Sequence, residues 1–412
     1  MEEIRTASES KGVDEGMRLL ERKREEWKTV PINVAVIGNS GVGKSSFINA
    51  MRGLTADDTE LGAAEVGEKE TTLEICSYPH PDNPMLLFWD LPGVGANRYP
   101  KASYLADIKV DRYDFFLLMS ATRFTENDTW LGKEIHKRNK KYFFLRTKIA
   151  VDIANHKKAH PRNHDDKVVF ETILQSTANH LNENGCGKVP MFLIDNYELM
   201  KFDFQQLKQQ LIDDFPELKK SALVLSIQST SEQIIQRKMA ELRSRIWKSA
   251  ALAVVRCIPG TSTVVDSGTI TEDSVFIFRQ LGLDSESLQR YARLYSVSYD
   301  DLQSIANKGL GIETVTTTLN ATKTAVEIIT TNLMPLVTTA SVKETARVFI
   351  PLIGAVIAGP LAFGGTVVAL RLIINTIEKP AIEVMKFVAS RADSTGDEAT
   401  GSYESDKTVD SA

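Results

Sequence analysis

Gly38–Asn39–Ser40–Gly41–Val42–Gly43–Lys44–Ser45 decides the fold. The stretch follows an apolar run at 32–37 and opens into Ser46, Phe47, Ile48 and Asn49, a helical pattern that ends at Gly53. It is a G-x-x-x-x-G-K-[ST] loop between a strand and a helix, the setting in which this motif cradles phosphate. Gly38, Gly41 and Gly43 let backbone N–H groups curl around phosphate oxygens where a Cβ would intrude. The helix start adds the positive end of its dipole. Asn39, Ser40, Val42 and Ser46 complete the cradle. Lys44 is placed to reach the β- and γ-phosphates, and the Ser45 hydroxyl to ligate Mg²⁺. The loop predicts a nucleoside triphosphate site.

Outward from the loop, apolar runs at 85–89, 115–119, 142–145, 191–194 and 222–225 read as strands, with helical patterns at 129–140, 170–184 and 204–215 among them. Such alternation predicts a mostly parallel sheet covered on both faces, over 31–230. From 231 the strands stop. Ser231 is placed to cap a charged helix through 247 and on to 255, and further helices are expected at 274–281, 285–295, 299–307 and in a Thr/Val-rich stretch at 311–339. An all-α domain over 231–392 follows, with a disordered Ser/Asp/Glu-rich tail at 393–412. Val13, Met17, Leu20, Arg24 and Trp27 make residues 1–30 one amphipathic helix packed on the body of the protein.

Composition sets the outer limits. Hydrophobic content of 42% and charged content of 25% are ordinary for globular chains, so 412 residues hold two or three domains with real cores. A net charge of −5 leaves no basic excess for nucleic acid. The three cysteines are far apart in sequence, which fits a reducing cytosol. The start carries no secretory signal or myristoylation site and the end no prenylation box, so a cytoplasmic protein is expected.

Asp90-x-x-Gly93 closes an apolar strand, where the Asp would hold Mg²⁺ through water and the Gly N–H would sense a γ-phosphate. Small GTPases place a water-orienting Gln after that Gly; here it is Val94, so slow basal hydrolysis is expected. Thr71 and Thr72, at the end of the small polar loop that begins at Thr55, are candidates to complete the Mg²⁺ shell in a γ-phosphate-dependent way. For guanine, [NT]-K-x-D after a strand supplies a carboxylate to the base. Thr147 and Lys148 are in place, but Ala150 stands at the carboxylate position and Asp152 lies two residues on. Either the loop shifts so that Asp152 reaches the base, or guanine selectivity weakens. Asp195–Asn196 follows the next strand, where the remaining base-packing loop belongs.

Together GNSGVGKSSFINAMRGL (38–54), FWDLPGVG (88–95) preceded by YPHPDNP (78–84), and FFLRTK (143–148) resemble the immunity-related GTPases, interferon-associated proteins of dynamin-like architecture. The resemblance extends over residues 1–390 or so, and Lys44 matches the GKS-type members. It implies a Ras-like G domain joined to a helical domain built from both the N-terminal helix and the C-terminal half. It also implies binding of GTP and GDP, hydrolysis of GTP, GTP-dependent self-association and pairing with related GTPases. Peripheral action at intracellular membranes, above all vacuoles that hold pathogens, is part of the same implication. Glu70 matches a switch-loop glutamate that contributes to activation across the dimer, and Thr72 the switch threonine.

Residues 348–370 form an uncharged run long enough to span a bilayer, but Pro351, Gly354, Gly359, Pro360, Gly364 and Gly365 break it twice. A buried helix pair meeting near Gly359–Pro360 is the first expectation, a membrane-docking helix the second. His156, Lys157, Lys158 and His160 read as a solvated basic surface rather than a metal site. A turnover-poor scaffold, motivated by Val94 and Ala150, and an ATPase with relaxed base choice are the competing readings.

Overall fold

The computed structural model describes residues 12–67, 74–96, 98–186, 188–256, 267–310 and 355–398, with residues 3, 6 and 10. It divides into two compact units, one built on Val30–Ile227 and one on Met1–Thr29 with Gln228–Val388.

The first unit is an α/β domain. Six strands make one sheet among the described residues: β1 (Ile32–Gly38), β2 (Cys76–His80), β3 (Asn83–Leu91), β4 (Phe115–Ser120), β5 (Lys141–Arg146) and β6 (Met191–Leu193), in the order β2-β3-β1-β4-β5-β6. Only β2 runs antiparallel; the others pair in parallel, with Ile37 opposite both Leu91 and Leu118. Every residue of β4 is buried, as expected of a parallel strand covered on both faces. The chain leaves β1 to build β3 on one side and β4 on the other, so a crevice opens at the carboxyl ends of the strands. Open α/β sheets bind ligands at such a switch point. Gly38 ends β1 there, and a Cβ on it would lie 2.5 Å from the Met119 carbonyl oxygen.

Naming helices in chain order, α1 is Val13–Glu25, α2 Lys44–Arg52, α3 Tyr104–Asp107, α4 Glu126–Lys137, α5 Ile149–Ala159, α6 Asp166–Glu183, α7 Phe204–Asp214 and α8 Glu217–Ser226. Thr125 opens α4 with a capping box, its hydroxyl taking the Asp128 N–H while Asp128 returns a bond to the Thr125 N–H. The run at 222–225, expected as a strand, belongs instead to α8. It follows Pro216, which sits at the helix N-cap, and the Ser226 hydroxyl donates back to the Ala222 carbonyl at 2.6 Å. All four of its residues are buried, so the run carries no period, and a short apolar run cannot tell a buried helix from a strand.

The second unit is all-α among its described residues: α1, α9 (Glu232–Arg256), α10 (Ser267–Gln280), α11 (Ser285–Leu294), α12 (Tyr299–Leu310) and α13 (Ala355–Glu398). Ser231 caps α9 through the Ile234 N–H. Leu20 of α1 packs on Leu252 of α9, while the Arg245 guanidinium and the Lys248 ammonium donate to the carbonyls of Arg24 and Lys23. Two expectations are corrected by α13. No helix pair meets at Gly359–Pro360; one helix runs through both, and through Pro380 as well, each proline lacking the N–H that would bond the carbonyl four residues back. It also continues to Glu398, past the expected start of the tail, carrying fully buried Ile373, Ile374 and Ile377 on one face. Among the described residues no helix is long and apolar enough to cross a membrane. The stretches at 311–339 and 348–354 lie outside the described residues.

Candidate functional site

An open cavity of about 950 Å³ lies at the carboxyl ends of the strands. It is lined by Asn39, Ser40, Gly41, Gly43, Lys44, Ser45 and Ser46 from the loop, Gly93 and Val94 after β3, and Lys148, Ala150, Asp195 and Asn196 after β5 and β6. The volume is at the upper end for small-ligand sites. Lys44, only 6% exposed, donates from Nζ to the carbonyls of Gly38 at 3.0 Å and Asn39 at 3.3 Å. Its ammonium therefore lies over the loop whose N–H groups are to receive phosphate.

Gly43 caps α2 in the left-handed region at φ 90°, where an L side chain is strained. A Cβ there would also fall 2.7 Å from Asn196 Nδ2, which donates to the Gly43 carbonyl at 2.8 Å. Gly93 sits at a close approach, since a Cβ on it would meet the movable tip of the Asn39 side chain at 2.7 Å and the Asn39 Cα and Gly38 carbonyl oxygen at 3.3 Å. The Tyr104 hydroxyl braces this turn by donating to the Pro92 carbonyl at 2.6 Å, and burial pushes its pKa well up, so it keeps its proton.

Ser45 donates from Oγ to Asp90 Oδ2 at 3.4 Å. A hydroxyl and a nearly buried carboxylate side by side at the loop are hard oxygen donors, so the pair fits Mg²⁺. The third metal residue expected, Thr72, lies outside the described residues, as do Thr71 and Glu70. Among the described residues no group of three His, Cys, Asp or Glu gathers to hold a metal. His156, His160 and His164 do cluster, His160 only by ring contact with His156, while His156 Nδ1 lies 2.9 Å from His164 Nδ1 and His164 Nε2 2.5 Å from Asp166.

Thr147, fully buried, donates from Oγ1 to the Val42 carbonyl at 2.8 Å and so ties the base strand to the phosphate loop. Lys148 takes a left-handed φ of 62° and caps α5. Because α5 begins at once, Ala150 and Val151 face the cavity, and Asp152 turns about 100° further round. There it pairs with the Arg146 guanidinium and does not line the cavity. The loop shift that would have delivered Asp152 to a base does not occur. Asp195 does line the cavity, 5% exposed, with Oδ2 accepting the Ala150 N–H at 3.3 Å and Oδ1 the Tyr197 N–H at 3.0 Å. Sequence reasoning missed Tyr197 and Glu198, which follow Asn196 on the rim; an exposed aromatic directly after a predicted base loop was the available signal.

A phosphate loop at the end of β1, a D-x-x-G turn at the end of β3 and base loops after β5 and β6 define a G domain of the P-loop class. Its helical companion narrows the class. The chain belongs to the interferon-inducible GTPase family, whose model matches residues 1–343, and it is a GTPase that binds guanine nucleotide. It is 37% identical to "Interferon-inducible GTPase 1" of Mus musculus, over 66% of this chain and 67% of that protein. It is 30% identical to "Interferon-inducible GTPase 5" of Rattus norvegicus, over 93% of this chain and 81% of that one. Among solved structures, the FeoB G-domain from Methanococcus jannaschii is similar at 18% identity over 44% of this chain and 95% of that chain, with a TM-score of 0.25, a likeness too slight to bear an argument.

Proposed function

We propose that the protein is a GTP-driven switch of cell-autonomous immunity, which pairs with itself or related GTPases when loaded with GTP, acts peripherally at intracellular membranes and resets by hydrolysis. The observation that carries the nucleotide part is Lys44 held over the loop carbonyls, with Ser45 and Asp90 adjacent. On arrival of a triphosphate, Lys44 exchanges a carbonyl for β- and γ-phosphate oxygens, and the N–H groups of the loop close around them. Ser45 and Asp90, with Thr72 added, are the residues that would hold Mg²⁺, which would supply charge neutralisation at the phosphates. Glu70 acts across the pair. Self-association is supported by apolar groups at the cavity rim: Val66, Val151 and Tyr197 are 43%, 51% and 76% exposed. Membrane action rests on the family alone.

The test is hydrolysis of GTP and of ATP over a range of protein concentrations, with Lys44→Ala and Glu70→Ala alongside. Specific activity with GTP that climbs with concentration supports the assembling switch. Tight GTP binding with a flat, near-zero rate favours the second reading, a nucleotide-clamped scaffold. That reading rests on Val94, which is buried in the apolar core and offers no polar group to orient water.

A further inference from the structure

The base-reading position of this G domain is empty of its carboxylate, yet the cavity is not. Among the described residues two acidic side chains line it, Asp195 and Glu198. Glu198 is paired with Lys201 at 3.2 Å and is 34% exposed. Asp195 is buried at the wall, and its Oδ2 sits 3.3 Å from the backbone nitrogen of Ala150, the residue whose side chain should have supplied the carboxylate. The nearest sequence substitute, Asp152, is engaged by Arg146 outside the cavity.

We propose that Asp195 is the guanine-reading residue, its carboxylate supplied from the loop after β6 in place of the missing one at position 150. A carboxylate offers about four lone-pair positions, two on each oxygen. The Ala150 and Tyr197 N–H groups take one on each oxygen. One acceptor position per oxygen remains, which is the pair of acceptors that the N1–H and 2-amino group of guanine require. Those two backbone bonds also fix the carboxylate's orientation before a base arrives, so little ordering is left to the binding step. Adenine presents no such pair of donors on that edge and is rejected, since it leaves the buried carboxylate unsatisfied. This inference rests on the nucleotide reading of the cavity and assigns its base specificity to one side chain.

The experiment is equilibrium competition of GDP, IDP, XDP and ADP on the full chain, for the wild type, Asp195→Asn, and Asp195→Asn with Ala150→Asp. Inosine lacks the 2-amino group, so the wild type should prefer GDP over IDP by about tenfold or more, the worth of one hydrogen bond to a charged acceptor. Xanthine carries a carbonyl at C2, and the amide of Asp195→Asn donates to it at the expense of one of the two backbone N–H bonds that the carboxylate accepts. That variant should lose GDP affinity by about tenfold or more and bind XDP better than GDP, a gain that an unfolded chain cannot show. Restoring a carboxylate with Ala150→Asp should return the preference to GDP. If the wild type prefers GDP to ADP but Asp195→Asn keeps the GDP-to-XDP ratio, or binds nothing and is not rescued by Ala150→Asp, the assignment of Asp195 is overturned while guanine binding stands. If the wild type binds GDP and ADP equally, guanine selection by this cavity fails altogether, and the assignment with it.

Discussion

Arg52 ends α2 with its side chain 1% exposed, and it fastens the loop that leads toward the switch segment. Its guanidinium donates to the carbonyls of Pro79 at 2.9 Å, Gly62 at 2.9 Å and Leu61 at 3.3 Å. Burial lowers its pKa, but an arginine keeps its charge in proteins. Replacing it by methionine keeps much of the stem's volume and removes all three donors. Two well-formed bonds and one long one, at about 1 kcal/mol each net, give a local loss of about 2–3 kcal/mol. With 1.4 kcal/mol per tenfold, opening of the loop should rise by about 30- to 150-fold. Hydrogen exchange reads this directly: the Leu61 and Gly62 amides, bonded to Asp58 and Thr59, should lose that much protection. The Ala64 amide is held separately by Asn49, which makes two bonds to Ala64 at 2.7 and 2.9 Å, and should change far less. Arg52→Lys should not rescue, because an ammonium lacks the planar fork that spans three carbonyls. Since Arg52 does not line the nucleotide cavity, GDP affinity should hold within about threefold, below 0.7 kcal/mol. Equal loss of protection at Ala64 and Leu61, or full rescue by lysine, would refute the reasoning.

Thr147→Val, which deprives the buried Val42 carbonyl of its 2.8 Å partner, should weaken GDP binding and lower stability by about 1–2 kcal/mol, measured by thermal shift with and without GDP. Gly93→Ala drives a Cβ to 2.7 Å from Asn39 Oδ1, so turnover of GTP should fall at least tenfold while GDP still binds; stopped-flow binding beside steady-state hydrolysis separates the two. His156 has its pKa lowered by burial and by the nearby His160 and His164. Its folded value lies below the unfolded value of about 6.5, so its contribution to stability is complete above that pH and declines as pH falls below it. The melting temperature should therefore drop on acidification from pH 7.5 to 5.5, and His156→Gln should flatten the drop.

The phosphate loop was legible because its chemistry is written in consecutive residues, with a buried strand before it and a helix after it. Asp90 and Gly93 were legible for the same reason. What escaped depended on where a helix begins. Asp152 looks available two residues past Ala150, and only the immediate start of α5 shows that it turns toward Arg146. Likewise Asp195 reads as a loop residue until the bond to the Ala150 N–H places it beside the vacant position. The run at 222–225 carries no period because all four residues are buried, and α13 passes through Pro360 and Pro380, which a sequence rule reads as helix breaks.

The pairing of α1 with α9 also bears on how the chain is made. A ribosome adding about 5–20 residues per second needs roughly 10–45 s to go from Leu20 to Leu252, its packing partner. Throughout that interval the G domain between them emerges and can complete its own sheet. Leu20, buried in the finished fold, has no partner on α9 until then, and Trp27, just past the helix, waits longer still for Phe276. The order of synthesis therefore separates the two halves of this contact by the whole of the G domain.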